Sequence, residues 1–140
     1  MTLRFVLLPL FVEVLLTFGL LIWLALLRKG DFKRGVRAEH VALREPNWSV
    51  RTLQVGNCFA NQLELPLLFY VLTILSIITH HADVVFVVLA WVFVFTRVGH
   101  AVVHTTSNNV RQRGPLFGLG VMVLLIMWLV FMIRILAGLP

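Results

Sequence analysis

Hydrophobic residues make up 60% of the 140 positions and the mean hydropathy is +0.97. Soluble domains are roughly half apolar, so this composition excludes a water-soluble globular protein and points to one embedded in a bilayer. The net charge of +6 sits in the connections between apolar blocks, which argues against nucleic acid as a partner, and the single cysteine, Cys58, excludes an intrachain disulfide.

The first block, Phe5 to Leu27, is too long for the apolar part of a signal peptide and has no small-residue cleavage site behind it, so it reads as a retained anchor. The second, Leu63 to Ile78, is short as pure apolar sequence. Extended back through the polar stretch to about Trp48, it predicts one helix of roughly 30 residues, ~45 Å long at 1.5 Å per residue, which is longer than the hydrocarbon is thick. The third and fourth blocks, Val84 to Val103 and Leu116 to Leu136, are each about the length needed to cross. The expected fold is all-α, an integral membrane four-helix bundle in a single domain over 1–140, with helices at about 5–27, 49–79, 84–106 and 115–136.

Gly30, Gly35 and Pro46 mark the first connection as a loop, with Asn47 or Ser49 as the cap of the next helix and Trp48 at the interface. Gly114 and Pro115 punctuate the third connection, with Pro115 suited to the first turn of the fourth helix. Arg28, Lys29, Lys33, Arg34, Arg37, Arg44 and Arg51 lie in or beside the first connection, and Arg111 and Arg113 in the third. The second, around His80 to Asp83, has no Lys or Arg. The positive-inside rule then puts connections one and three in the cytoplasm and both termini across the membrane. The basic loop doubles as an anchor to anionic headgroups. The minimal chain suggests a bacterial inner membrane.

Gln54, Asn57, Asn61 and Glu64 are spaced by three, four and three, which places them on one helical stripe. Arg97, His100, His104 and Arg111 form a second stripe, and a short connection makes the two helices antiparallel neighbours. Glu64 and Arg97 fall at similar depth and are expected to compensate each other. Ionisable groups inside a bilayer face a bundle interior or a polar cavity, so the stripes read either as a seam locking helices together or as a pocket for an anionic or zwitterionic ligand. His100 and His104 have the i, i+4 spacing of a chelate, but no third ligand is evident, so no metal is expected. Glu13 stands a third of the way into the first span with no base nearby in sequence, and is expected to be protonated or hydrogen-bonded inside the bundle.

Asn61-x-x-Glu64-x-Pro66, then Arg97-x-x-His100-x-x-x-His104, then Arg111 and Gly114-Pro115, occur in the order and spacing of one family. The chain resembles the MAPEG family, membrane-associated proteins in eicosanoid and glutathione metabolism, over essentially its whole length. The resemblance implies a homotrimer of four-helix protomers with glutathione as cosubstrate, bound between protomers near the cytoplasmic side. It also implies a transferase or peroxidase acting on lipophilic electrophiles dissolved in the bilayer. Asn61, Glu64, Arg97, His100 and His104 would bind the ligand, and Arg111 would stabilise the thiolate. The chain departs from the family pattern where Gln54 and Asn57 stand for arginines, where His100 and His104 stand for tyrosines, and where Pro66 arrives one residue early. Two other readings stay open: a noncatalytic membrane assembly protein of the same fold, and a small proton-coupled transporter using Glu13.

Overall fold

Five helices account for the four apolar blocks in the computed structural model, which describes residues 1–140: α1 (Leu3–Lys33), α2 (Val50–Asn61), α3 (Leu65–Ile78), α4 (Val84–Thr105) and α5 (Val110–Leu136). With α2 and α3 taken as one segment, the chain has 4 stretches long and apolar enough to cross a membrane. Large apolar side chains such as Leu15, Ile22, Phe95 and Ile133 point outward along them. That is the pattern of helices surrounded by other apolar matter rather than by water.

α1 runs past the expected boundary of about 27 and stops where the chain turns left-handed at Gly35 (φ 107°). The Gly35 and Val36 amides close back on the carbonyls of Phe32 and Asp31 at 3.3 and 3.1 Å. Such a reversal needs a residue without a Cβ penalty. The Asp31 carboxylate, 1% exposed, accepts from Arg34 Nη2 at 2.7 Å and from the Ser49 amide at 2.9 Å. Ser49 is the N-cap of α2, so one buried acid ties the end of the first span to the start of the second across the basic connection. Trp48 packs edge-on against Phe32 and under the Arg28 guanidinium.

The single helix expected over 49–79 is broken at Gln62–Glu64. Pro66 has no amide proton for the Gln62 carbonyl and its ring crowds that carbonyl, so the turn before it cannot stay α-helical. α2 ends instead on a turn in which the Gln62 side chain donates to Cys58 O at 3.2 Å. α5 begins earlier than expected, at Val110, because Asn109 caps it by accepting from the Arg111 amide at 3.0 Å. Pro115 therefore lies inside the helix rather than in its first turn.

The interior is layered. One apolar cluster joins Val6, Phe69, Leu72, Phe93 and Leu124, and a second joins Leu20, Leu24, Val55, Cys58 and Ala101. Cys58 packs there as a small core residue. Between the clusters along α1, the α2–α3 break and α4 come Glu13, Gln62 and Arg97, each 0% exposed. α4 and α5 approach closely at Gly120, where a Cβ would fall 2.9 Å from Thr96 Oγ1.

At the end of the bundle away from the basic connection, Asp83 caps α4 by accepting from the Phe86 amide at 3.0 Å and pairs with Arg134 of α5 at 2.8 Å. Burial works to raise the Asp83 pKa, but the Phe86 and Arg134 hydrogen bonds outweigh it and hold the carboxyl below its usual value. A depressed folded-state pKa gives stability that is present above the unfolded pKa, ~3.9, and is lost as pH falls through the folded one. The thermal midpoint in detergent is therefore expected to be level near neutrality and to drop below about pH 4. Asp83→Asn, which keeps the cap, should flatten part of that drop, amounting to no more than about 1 kcal/mol for a partly exposed pair. An acid limb identical in the variant would count against this assignment.

Candidate functional site

The α2–α3 break, the last turns of α4 and the first turns of α5 enclose an open cleft of about 500 Å³. α2 and the break contribute Asn57, Ala60, Asn61 and Glu64. α4 contributes His100 and His104, and α5 contributes Val110, Arg113, Gly114 and Phe117. The helical spacing of Asn57, Asn61 and of His100, His104 puts each pair on one face. The break adds something a continuous helix would not, because it turns Glu64 out of the buried layer and leaves it exposed at the cleft wall.

Both histidines are almost wholly buried, His100 at 2% and His104 at 5% exposure. Their rings meet edge-to-face with centroids 5.4 Å apart, and the His100 ring also packs on Phe117 at 5.7 Å. Nδ1 of each ring is buried without a partner. Arg113 holds Asn108 Oδ1 at 2.6 Å through Nη1, which leaves the rest of its fork for another acceptor.

Arg97 lies behind this wall rather than in it. Its guanidinium is completely buried, sits 5.9 Å from the Phe117 ring centroid and donates through Nη2 to Asn61 O at 3.3 Å. That contact places a positive charge on the carbonyl end of α2, where the helix dipole favours it. The expected compensation of Arg97 by Glu64 is not formed: ion pairs within 4.0 Å are limited to Arg34–Asp31, Arg37–Glu39 and Arg134–Asp83. The strongest opposite charge acting on Arg97 is Glu13 of α1, and Arg97 is the charge acting on Glu13. Glu13 itself has both carboxylate oxygens buried without a hydrogen bond.

Arg111 is brought to neither group. It is exposed on the outer side of the first turn of α5, with only its backbone amide engaged. Gln54, at the start of the sequence stripe, points to the end of α4 and donates to His104 O and Thr106 O at 2.8 and 2.9 Å. Arg51 does the same for Thr105 O while lying over the Trp23 ring. Both side chains are thus occupied in capping α4. The sequence stripes omitted Arg113 and Phe117. The capping Asn109 could have indicated them, since a helix starting at Val110 puts 110, 113, 114 and 117 on one face.

A model of the MAPEG family matches residues 6–133. The chain belongs to the MAPEG family. No curated protein and no solved structure matches it. With four apolar spans over nearly the whole matched length, this MAPEG chain is an integral membrane protein built as an all-helical bundle.

Proposed function

We propose that this MAPEG protein binds glutathione in the cleft between the α2–α3 break, α4 and α5, and presents its thiol to lipophilic electrophiles in a transferase or peroxidase-like reaction. The observation that carries this reading is the convergence on one cleft of a carboxylate, two carboxamides, two imidazoles and a guanidinium. A zwitterionic peptide needs that set. Glu64 pairs with its ammonium, Arg113 with a carboxylate or the thiolate, and Asn57 and Asn61 with its peptide groups. Arg97 acts on the ligand from behind, through the placement of Asn61. Arg111 reaches a bound thiol only where a neighbouring copy completes the site, as in a homotrimer packed through the exposed apolar faces. The basic connections face the cytoplasm of a bacterial inner membrane, with both termini on the other side.

A second reading, a noncatalytic assembly protein, is favoured by the buried layer of Glu13, Gln62 and Arg97, which lies on α1, the α2–α3 break and α4 behind the cleft wall. The fully buried position of Glu13, with neither carboxylate oxygen hydrogen-bonded, suits that structural role better than proton transport. Glutathione titrated into the purified protein in detergent, with heat and thiolate absorbance followed together, separates the two. Saturable binding with a thiolate signal is expected. Binding without thiolate would make the protein a ligand carrier, and no binding would leave the assembly reading.

A further inference from the structure

We infer that the groove between α1 and α4 holds one acyl chain of an anionic phospholipid, with the lipid's phosphate on Arg51. The groove is open, about 380 Å³, and walled by Leu15, Gly19 and Trp23 of α1 and by Val98, Ala101 and Thr105 of α4. No ionisable side chain lines it, and its one hydroxyl, Thr105 Oγ1, is spent on Ala101 O at 2.8 Å. Such a wall suits an apolar chain. Gly19 keeps it open, since a Cβ there would meet nothing within 4 Å.

One end of the groove is different. The Arg51 guanidinium lies over the Trp23 ring, 4.7 Å from its centroid, and donates through Nη1 to Thr105 O, so it is fixed to one residue of each wall. Capping α4 takes only that nitrogen. Arg51 is exposed and has no carboxylate within 4.0 Å, ion pairs being confined to Arg34–Asp31, Arg37–Glu39 and Arg134–Asp83. Nε and Nη2 are left for an acceptor from outside the chain.

The dimensions match one lipid tail. Tryptophan favours the headgroup level, which sets the depth of Trp23. Leu15 lies eight residues from it along α1 (23 − 15), ~12 Å at 1.5 Å per residue, and half of a ~30 Å hydrocarbon layer is ~15 Å. The groove therefore runs from the headgroups through most of one leaflet, on the side of the basic connections. Lipid tails are as apolar as leucine, so tail contacts fix where the chain lies but scarcely select it. Selection falls to charge, and one arginine close to the surface favours an anionic lipid about fivefold. A neutral apolar molecule, or the apolar face of a second copy, would leave the guanidinium unanswered. The groove shares no lining residue with the cleft, so its occupant does not depend on glutathione binding.

The test is a titration of the delipidated protein in detergent with phosphatidylglycerol or with phosphatidylcholine of the same acyl chains, the lipids retained per chain being counted by mass spectrometry of the intact complex. Wild type, Arg51→Gln and Gly19→Leu are compared, and their oligomeric state is read from the same spectra. Wild type should retain one phosphatidylglycerol per chain at about fivefold lower lipid concentration than phosphatidylcholine. Arg51→Gln, which keeps a donor for Thr105 O, should bring the two lipids level. Gly19→Leu, whose side chain enters the groove, should lower retention of both at least fivefold. Equal retention of the two lipids by wild type would overturn the inference, and this holds even if the variants do not fold. An Arg51→Gln protein that keeps the preference would overturn it as well. So would a Gly19→Leu protein that binds both lipids as wild type does, and if its oligomeric state had changed, the groove would be a contact between copies instead.

Discussion

Replacing Arg97 with alanine is expected to destabilise the protein by about 3 kcal/mol, within the range for emptying the site of a large, fully buried side chain and losing its hydrogen bond. The guanidinium is 0% exposed and donates to the carbonyl end of α2, and its strongest charge partner is the equally buried Glu13. Removing it leaves Glu13 as an acid among apolar side chains and opens a void beside Gly120, whose missing Cβ would lie 3.9 Å from Arg97 Cδ. Thermal unfolding in detergent checks the magnitude, and a double-mutant cycle checks the cause. Glu13→Gln combined with Arg97→Ala should cost less than the sum of the two by at least about 0.5 kcal/mol, because the second change removes a charge already without its partner. Strict additivity would mean that the two groups do not sense each other. Glu64→Gln in the same assay should move stability by no more than about 0.5 kcal/mol, as expected for an exposed side chain.

That contrast marks what the sequence could and could not convey. The four crossings are legible because hydropathy over some 20 residues is a property of the segment alone. So is the joining of Asn57 and Asn61 with His100 and His104, since each pair lies on one helix and the intervening connection is short. The choice of Glu64 as the countercharge of Arg97 failed for a local reason. Pro66 breaks the helix, so the register that placed Glu64 on the buried stripe ends at Asn61. Glu13, the acid whose charge acts most on Arg97, is 84 positions away in sequence (97 − 13), and only the packing of α1 on α4 relates the two. Arg113 was passed over for a similar reason of phase. With α5 starting at Val110 rather than near Pro115, the arginine two residues beyond Arg111 turns inward and Arg111 turns out.

The two arginines therefore give opposite expectations for binding. Arg113→Gln should weaken glutathione binding about ten- to a hundredfold, the value of a hydrogen bond to a charged group at ~1.5–3 kcal/mol. Arg111→Gln, measured by the same calorimetric titration, should change the affinity by less than about threefold, since its side chain meets nothing in the cleft and acts only through a screened field. Because Arg113 also holds Asn108, the variant needs an unchanged unfolding midpoint before its affinity is interpreted. The reverse order, with Arg111 dominant and Arg113 silent, would mean that the ligand does not lie within one protomer's cleft but against the outer face of α5. Only a second copy of the chain could then supply the remaining wall, and the binding constant of the Arg111 variant would follow the oligomeric state rather than the chemistry of the cleft.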